Sequence, residues 1–291
     1  MDVKKMIAAT AAIVGTVAMA DGIVSSSVVG YQNLETRIGG LKMIAPTFLK
    51  VTSTTGCTLA DLSVSGYVAE VYSEDDEDYV GGVGTVNSGS FVLNLLSSTG
   101  TSEASYYFID APASKGISAG WYADNNGTAI EGGAESVVIE AGRALWITGR
   151  GFSLTSAGAV GTADIAYVTR SAGLSACGNA TPIDLTLAKL YVSGYDAEIY
   201  SEDDEDYVGG IGTVNSGSFV VNFLSSTGTS EASYYYIDAP ASKGVSAGWY
   251  ADNNGTAIEG GAASITVPAG QGLWVSGRGF KLNIPAPELE L

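Results

Sequence analysis

The chain has 291 residues, no histidine, two cysteines and a formal net charge of −18. So large an acidic excess repels nucleic acid and anionic lipid headgroups, which excludes a function that depends on binding either one. The lack of histidine removes the usual base of a catalytic triad and the commonest zinc ligand. We therefore expect no nucleic-acid partner and no enzymatic activity.

Residues 1–20 have the pattern of a secretory signal peptide. Lys4 and Lys5 precede a short apolar run, and Ala18 and Ala20 form an A-x-A cleavage site at its end. A single anchoring helix is the alternative, but the run is short for a membrane span. We predict cleavage after Ala20, a secreted or cell-surface location, and no membrane insertion after signal cleavage.

The rest of the chain is dominated by an internal duplication. Residues 64–152 recur as residues 192–280 at a constant shift of 128, and about 73 of these 89 positions are identical. A period this long indicates two copies of one folding unit rather than a solenoid of short repeats. With Tyr31 and Tyr167 taken as counterparts, the predicted domains are residues 21–155 and 156–291, and each is long enough to bury a core.

The positions that differ between the copies fall into two groups. Those in the first part of the copy are mostly exchanges between apolar or aromatic residues of similar size, which a packed core tolerates. The others cluster in residues 135–148. We infer that this segment has a neighbour that differs between the two copies.

Short β-strands with frequent turns are predicted along each copy. Residues 23–31 are rich in Val and Ser and read as a first strand, residues 59–62 could form one helical turn, and Asn126-Gly127 signals a tight hairpin. Further strands are predicted at residues 67–72, 91–96, 105–110, 120–123, 136–140, 144–148 and 152–155. The expected fold class is all-β, with two tandem antiparallel β-sandwich (or barrel-like) domains of about 130 residues each.

Two motifs of each copy suggest a family. Residues 120–127 (GWYADNNG), followed by residues 139–147 (IEAGRALWI) or in the second copy by residues 267–275 (VPAGQGLWV), carry the pattern. The pattern resembles the GWYD…PGxGFWV signature of uncharacterised secreted bacterial tandem β-repeat surface proteins. The resemblance implies an extracellular β-domain of structural or adhesive type, and it supplies no catalytic residues.

An acidic run occurs once in each copy, at residues 73–79 and 201–207. Adjacent carboxylates repel one another, and a Ca²⁺ ion, which takes six to eight oxygen ligands, would relieve that repulsion. Residues two apart point the same way on an extended backbone, so the candidate ligands are Glu74, Asp76 and Asp78 with Glu202, Asp204 and Asp206. The alternative is a solvated loop that keeps the protein soluble.

Cys57 and Cys177 are the only cysteines. Export to an oxidising compartment favours a disulfide between them, and two buried free thiols are the alternative. With no histidine and no C-x-x-C pair, metal binding by these cysteines is not expected.

The aromatic residues permit two interpretations. Trp121, Tyr122, Trp249 and Tyr250 could form an exposed platform that stacks on a polysaccharide. The favoured alternative is that alternate residues of these strands fill the sandwich core.

The first strand could also serve assembly. Residues 23–31 begin at the free mature N-terminus, whereas the equivalent strand of the second copy, near residues 165–168, follows a linker inside the chain. Strand addition to a neighbouring molecule is therefore open to the first strand alone. The candidate assembly residues are Ile23, Val24, Val28, Val29 and Tyr31. The alternative is pairing within the same unit.

Taken together, the residues predict an exported structural subunit of a cell-surface layer, fibre or extracellular matrix, with further copies of itself as partners. The alternative function is a carbohydrate-binding adhesin module, which could depend on Ca²⁺. No other cofactor is expected.

Overall fold

The computed structural model describes residues 29–49, 56–84, 91–97, 99–123, 131–212, 218–225, 227–253 and 258–288. These residues form 26 β-strands and two short 3₁₀-helices, so the all-β prediction is confirmed. Within the described ranges, no helix is long and apolar enough to cross a membrane.

We call strands β1–β13 the first half and strands β14–β26 the second half. The strands of the first half, in chain order from β1, are Val29–Glu35, Lys42–Ile44, Gly56–Thr58, Leu62–Ser65, Val71–Ser73, Asp78–Val80, Phe91–Leu96, Ser102–Ala111, Ile117–Ala123, Glu131–Gly133, Val138–Glu140, Leu145–Thr148 and Ser153–Ala159. A 3₁₀-helix, Leu59–Asp61, lies between β3 and β4.

The second half repeats this order. Its strands, from β14 to β26, are Ile165–Val168, Ser175–Gly178, Leu185–Thr186, Tyr191–Ser193, Ile199–Ser201, Asp206–Val208, Phe219–Leu224, Ser230–Ala239, Val245–Asn253, Ile258–Gly261, Thr266–Val267, Gly272–Ser276 and Lys281–Ile284. The second 3₁₀-helix is Leu187–Lys189.

Each half contains a six-stranded sheet and a three-stranded sheet, all antiparallel. In the first half the strand orders are β10-β9-β8-β7-β12-β2 and β1-β13-β4. In the second half they are β15-β25-β20-β21-β22-β23 and β14-β26-β17. Shorter pairs complete the halves: β11 with β3, β5 with β6, β16 with β24 and β18 with β19.

The core of the first half lies between its two larger sheets. Alternating residues of β7, Phe91, Leu93 and Leu95, point inward from the six-stranded sheet. Leu34 and Leu154 face them from the three-stranded sheet. Burial of one face of each sheet is what a sandwich requires, and it is why the period-two pattern of β7 predicted residues 91–96 with the observed bounds.

Within the described residues, the predicted strands agree with the structure except near residue 67, and residues 23–28 of the first predicted strand lie outside those residues. Those at 105–110, 120–123, 136–140, 144–148 and 152–155 each overlap an observed strand, and the predicted helical turn is the first 3₁₀-helix. The strand predicted at residues 67–72 is wrong for residues 67–70, since pairing begins only at Val71. The hairpin tip predicted at Asn126-Gly127 lies outside the described residues, and the predicted domain boundary at residues 155–156 falls inside β13.

The register of the sheets identifies the equivalent residues in the two lead-in segments. Leu34 pairs with Leu154, and Tyr167 pairs with Leu282, which is the counterpart of Leu154 at the shift of 128. Tyr167 therefore corresponds to Leu34, and its assignment to Tyr31 is wrong. The reason is that the lead-ins are shifted by 133 residues, as the shared Thr-Arg-x-x-Gly-Leu sequences at 36–41 and 169–174 also indicate.

Each half has its own apolar core, and a separate apolar cluster joins the two halves. It contains Met43, Ala45, Leu96 and Ala144 from the first half, and Ala176, Ala180 and Trp274 from the second. The two halves therefore pack on each other through side chains that are almost fully buried.

Candidate functional site

The acidic run of each half forms the turn of an exposed hairpin. In the first half, β5 pairs with β6 so that Tyr72 lies opposite Tyr79 and Ser73 opposite Asp78. Residues 74–77 make the turn, with Glu77 in the left-handed region at φ 51°. The second half repeats the hairpin with β18 and β19.

Local hydrogen bonds hold the turn. The Ser73 hydroxyl donates to Asp76 Oδ2 at 2.8 Å, and the Asp76 N–H donates back to Ser73 Oγ at 3.2 Å. The Tyr79 N–H donates to Asp78 Oδ1 at 2.7 Å. Ser and Asp side chains stabilise turns through such bonds, so these two carboxylates already serve the hairpin itself.

The expected Ca²⁺ site is not assembled in the structure. Among the described residues, which include the whole acidic run of each half, no group of three carboxylate or cysteine side chains could hold a metal ion. The prediction required an extended backbone, whereas residues 74–77 turn sharply. The structure therefore does not bring together the predicted ligands Glu74, Asp76 and Asp78, nor Glu202, Asp204 and Asp206.

The hairpins carry apolar surface that faces solvent. Tyr72 is 55% exposed and its ring lies edge-on to that of Tyr79, with 5.3 Å between the ring centroids. The equivalent pair, Tyr200 and Tyr207, has a separation of 5.4 Å. Val71, Val68 and Ile199 are also more than half exposed. Each half thus presents an aromatic pair directly beside a cluster of carboxylates.

Each hairpin is tied to its half by one glutamate. Glu70 accepts hydrogen bonds from the backbone N–H groups of Ala113 and Ser114, at 2.7 and 3.2 Å, and from the Ser114 hydroxyl. Burial, the largest single influence, raises the pKa of the Glu70 carboxyl, but the hydrogen bonds from Ser114 and Ala113 together outweigh it and hold the pKa below its usual value. Glu198 makes the same contacts in the second half.

A tyrosine at the base of each hairpin adds a second anchor. The Tyr67 hydroxyl donates to Asp110 Oδ2 at 2.7 Å, and its ring packs edge-on against Phe152. Burial and the nearby Asp110 carboxylate raise the pKa of Tyr67 well above its usual value, so it stays protonated as the donor. Tyr195 and Asp238 are the equivalent pair.

The predicted tryptophan platform is wrong, because both tryptophans belong to the cores. Trp121 and Trp249 are 2% and 3% exposed, and their Nε1–H groups donate to the carbonyls of Leu62 and Leu190. Tyr122 and Tyr250 are half-buried and donate to the carbonyls four residues before them, those of Ser118 and Ser246. The favoured alternative, that these strands fill the core, is confirmed for the tryptophans.

The disulfide is not formed. Cys57 and Cys177 are free thiols, each buried in the core of its own half. The register explains why: Cys57 lies on β3, whereas Cys177 lies on β15, at the position equivalent to Ile44. The two cysteines occupy unrelated places in two separate cores.

Part of the candidate assembly strand already pairs with another strand of the same chain. Val29 pairs with Ala159 and Tyr31 with Ala157, both in the same chain, as in the alternative interpretation. Ile23, Val24 and Val28 lie outside the described residues. Strand addition through residues 29–31 would therefore require β1 to leave β13.

A cleft of about 180 Å³ lies between the linker after β13 and the end of the chain. Its walls are mainly alanine and proline side chains with Leu49 and Ile165. The one carboxylate there, Asp164, accepts a hydrogen bond from the Ala286 N–H at 2.9 Å. The cleft thus resembles a gap between two packed segments of the chain more than a reaction site.

Sequence reasoning missed the exposed tyrosine pairs. The strand predicted at residues 67–72 contains Tyr72 but ends before the turn, so the sequence prediction does not pair Tyr72 with Tyr79. The signal was present: Tyr72 and Tyr79 flank the acidic run symmetrically, as cross-strand neighbours of a four-residue turn would.

Comparisons with protein-family models, with curated proteins and with solved structures found no match to this chain.

Proposed function

We propose that the protein is an exported structural subunit of a cell-surface layer, fibre or extracellular matrix that associates with further copies of itself. One observation carries the proposal: an equivalent exposed hairpin occurs in both halves, and the halves share a buried cluster. Contiguous exposed apolar surface rimmed by polar residues is typical of interaction sites, and each hairpin groups a tyrosine pair with an exposed valine or isoleucine. A molecule with two equivalent contact surfaces can join two neighbours, which is the minimum for a linear chain of molecules.

The sequence supports the rest of the proposal. The first twenty residues have the features of a signal peptide, and the net charge of −18 keeps isolated subunits apart until specific contacts form. The described residues gather carboxylates at turns rather than around a cavity, which suits a structural role better than a catalytic one.

Electron microscopy and size-exclusion chromatography of the exported, processed protein test the proposal. We expect filaments or sheets at high protein concentration. Tyr72→Ala combined with Tyr200→Ala should reduce the assembled fraction at least several-fold, because both hairpins lose their exposed ring. Tyr191→Ala, which removes an exposed tyrosine outside the hairpins, is the matched control. Monodisperse wild-type protein at every concentration would contradict the proposal.

A carbohydrate-binding adhesin is the second candidate, and the exposed tyrosine pairs favour it. An aromatic ring beside carboxylates can stack on a sugar and accept its hydroxyl hydrogen bonds. Titration calorimetry with soluble polysaccharides would detect such binding. If the protein is an adhesin, it should bind as a monomer and lose affinity in the Tyr72→Ala, Tyr200→Ala variant, whereas Tyr191→Ala should bind normally.

A further inference from the structure

The surface between the halves is built from equivalent contacts. Ile44 forms a β-bridge with Gln271, and Cys177, which is equivalent to Ile44, forms one with Arg143. Beside these bridges, the Ala45 N–H donates to the Gly270 carbonyl at 2.8 Å, and the Gly178 N–H to the Gly142 carbonyl at 3.0 Å. Each half offers an equivalent patch to the other, with the arrangement of a twofold-symmetric dimer.

Two equivalent tryptophans cross this surface. Trp146 and Trp274 meet edge-on, with 6.3 Å between their ring centroids and 62° between their planes. Each ring lies over a turn of the opposite half, since Trp146 covers Gly228 and Trp274 covers Gly100. Each half therefore receives a large side chain from the other.

The symmetry breaks where the backbones approach most closely. Met43 and Ala176 are equivalent, because they oppose Trp146 and Trp274 in their own sheets. Across the surface, Ala176 accepts a hydrogen bond from Ala144 at 3.0 Å, whereas Met43 lies against Gly272. A Cβ atom at Gly272 would lie 2.3 Å from Met43 Cγ and 2.8 Å from its carbonyl carbon.

In both contacts, Ala144 with Ala176 and Met43 with Gly272, the side chain on one half matches the space left by the other. Alanine on the first half meets alanine on the second, and methionine on the first half meets glycine on the second. Pairing two first halves would place Ala144 against Met43, where there is room only for glycine. Pairing two second halves would place Gly272 against Ala176 and leave the volume of the methionine side chain empty.

Polar contacts also favour the pairing of a first half with a second half. The Arg170 guanidinium reaches across from the second half and donates to the Leu96 carbonyl at 3.2 Å. It also lies 3.5 Å from Glu103 of the first half, and that carboxylate contacts Arg143 at 3.3 Å. The second half has Gln271 where the first has Arg143, so a pair of second halves could not form this three-residue ion cluster.

We propose that this surface is a directional docking surface, on which a first half accepts a second half and rejects another first half, and that different chains of this protein join by the same pairing. The pairing between chains rests on the self-assembly proposed above, whereas the directionality does not. Within one chain the linker of residues 160–164 holds the halves together. Exchange between chains therefore requires a local protein concentration that competes with the effective concentration set by this linker, and we expect a layer or fibre to provide it.

The test cuts the linker after the full chain has folded. A site for a specific protease is inserted between Thr162 and Ala163, which are both exposed. Cut protein with and without a heavy-isotope label is then mixed and examined by native mass spectrometry. We expect complexes of one first half with one second half, including complexes that carry a single labelled partner. Separated halves, or pairs of first halves in proportion to their concentration, would overturn the proposal.

Substitutions in the cut protein test the size match itself. Gly272→Ala should weaken the pairing of the halves about tenfold or more, because the new methyl group overlaps Met43. Adding Met43→Ala should restore part of the affinity, because it removes the overlap with Met43 Cγ but leaves the close approach of the new methyl group to the Met43 and Ile44 backbone. Gly261→Ala, at a glycine with open space around it, is the control. Equal affinities for the Gly272 and Gly261 variants would contradict the assignment.

The assembly of the uncut chain separates this inference from the proposed function. If wild-type filaments form and Gly272→Ala leaves them intact, pairing between chains through this surface is wrong while self-assembly stands. If the uncut chain stays monomeric while the cut halves exchange, the self-assembly proposal is wrong and the docking surface stands.

Discussion

Ser156 is buried in the first half without a hydrogen-bond partner for its hydroxyl among the described residues. It lies on β13 between Gln32 and Leu62, and only 1% of it is exposed. The equivalent residue of the second half is Ile284, which suits an apolar site. A buried hydroxyl without a partner costs about 1–3 kcal/mol in desolvation.

We therefore expect Ser156→Ala to raise the free energy of unfolding by about 1 kcal/mol, as measured by urea denaturation. Ser63→Ala, at an exposed position on β4, is the control and should change it by less than about 0.5 kcal/mol. A destabilised Ser156→Ala protein would mean that the hydroxyl has a partner after all.

The two cysteines lead to a second prediction at this scale. Burial, followed by the nearby Asp61 carboxylate, raises the pKa of the Cys57 thiol to about 12, and burial raises that of Cys177 further. Because the thiolate is the reactive form, neither cysteine should react with a thiol reagent at pH 8 in the native protein. Two thiols per chain should react in denaturant without prior reduction. A mass lower by two hydrogens in non-reduced protein would reveal the disulfide instead.

Among the elements, the exposed hairpins depend on the glutamates at their bases. Glu70 and Glu198 have pKa values below the usual 4.5 because they accept several hydrogen bonds in the folded protein. A carboxylate with a lowered folded-state pKa stabilises the protein above its unfolded-state pKa, and that contribution is lost as the pH falls through the folded-state value.

Replacing both with glutamine should lower the thermal midpoint by about 1–3 °C at pH 7. The difference from the parent protein should narrow as the pH falls from 5 to 3, because the parent then loses the same charges. Glu74→Gln with Glu202→Gln, on the hairpin turns, is the matched control. A difference that stays constant with pH would show that charge is not what anchors the hairpins.

The same elements show what the sequence could and could not predict. β7 was predicted with its observed bounds because Phe91, Leu93 and Leu95 alternate into a core that lies within the repeat itself. Residues 67–70 do not form the predicted strand: Tyr67 and Val68 have high strand propensity, but no described strand pairs with them and Val68 is 75% exposed. Propensity for strands reflects packing on a half-buried surface, and here the packing is absent.

Contacts between the halves were only partly predictable. The differences clustered at residues 135–148 predict a neighbour that differs between the copies, and the contacts of Arg143 and Ala144 with the second half confirm it at those two positions. The identity of that neighbour could not be derived, because the lead-ins follow a different shift from the repeat. The exposed tyrosine pairs could not be predicted either, because Tyr72 and Tyr79 become neighbours only when the turn lies at residues 74–77.

At the scale of the whole molecule, the tryptophans that cross between the halves should control stability. Gly100 and Gly228 both have positive φ, so alanine at either position costs about 1–2 kcal/mol in backbone strain. A Cβ atom at Gly228 would lie 2.4 Å from the Trp146 ring, whereas one at Gly100 would lie 3.2 Å from Trp274. Only the first contact is a severe overlap.

Gly228→Ala should therefore destabilise the protein by about 1–3 kcal/mol more than Gly100→Ala does. Denaturant unfolding followed by tryptophan fluorescence measures both, and Gly100→Ala serves as the control because it carries the same backbone strain. Equal losses in the two variants would indicate that the tryptophans do not bear on the packing of the halves.

The matched contacts at Met43 and Gly272 also bear on how the gene could change. A deletion of 128 residues between the identical stretches 118–134 and 246–262 would join the start of the first half to the end of the second. The product keeps both Met43 and Gly272, so two such chains would make the methionine–glycine contact twice. Unequal crossing-over would thus convert one two-half chain into a symmetric homodimer of single halves, with its central contact retained.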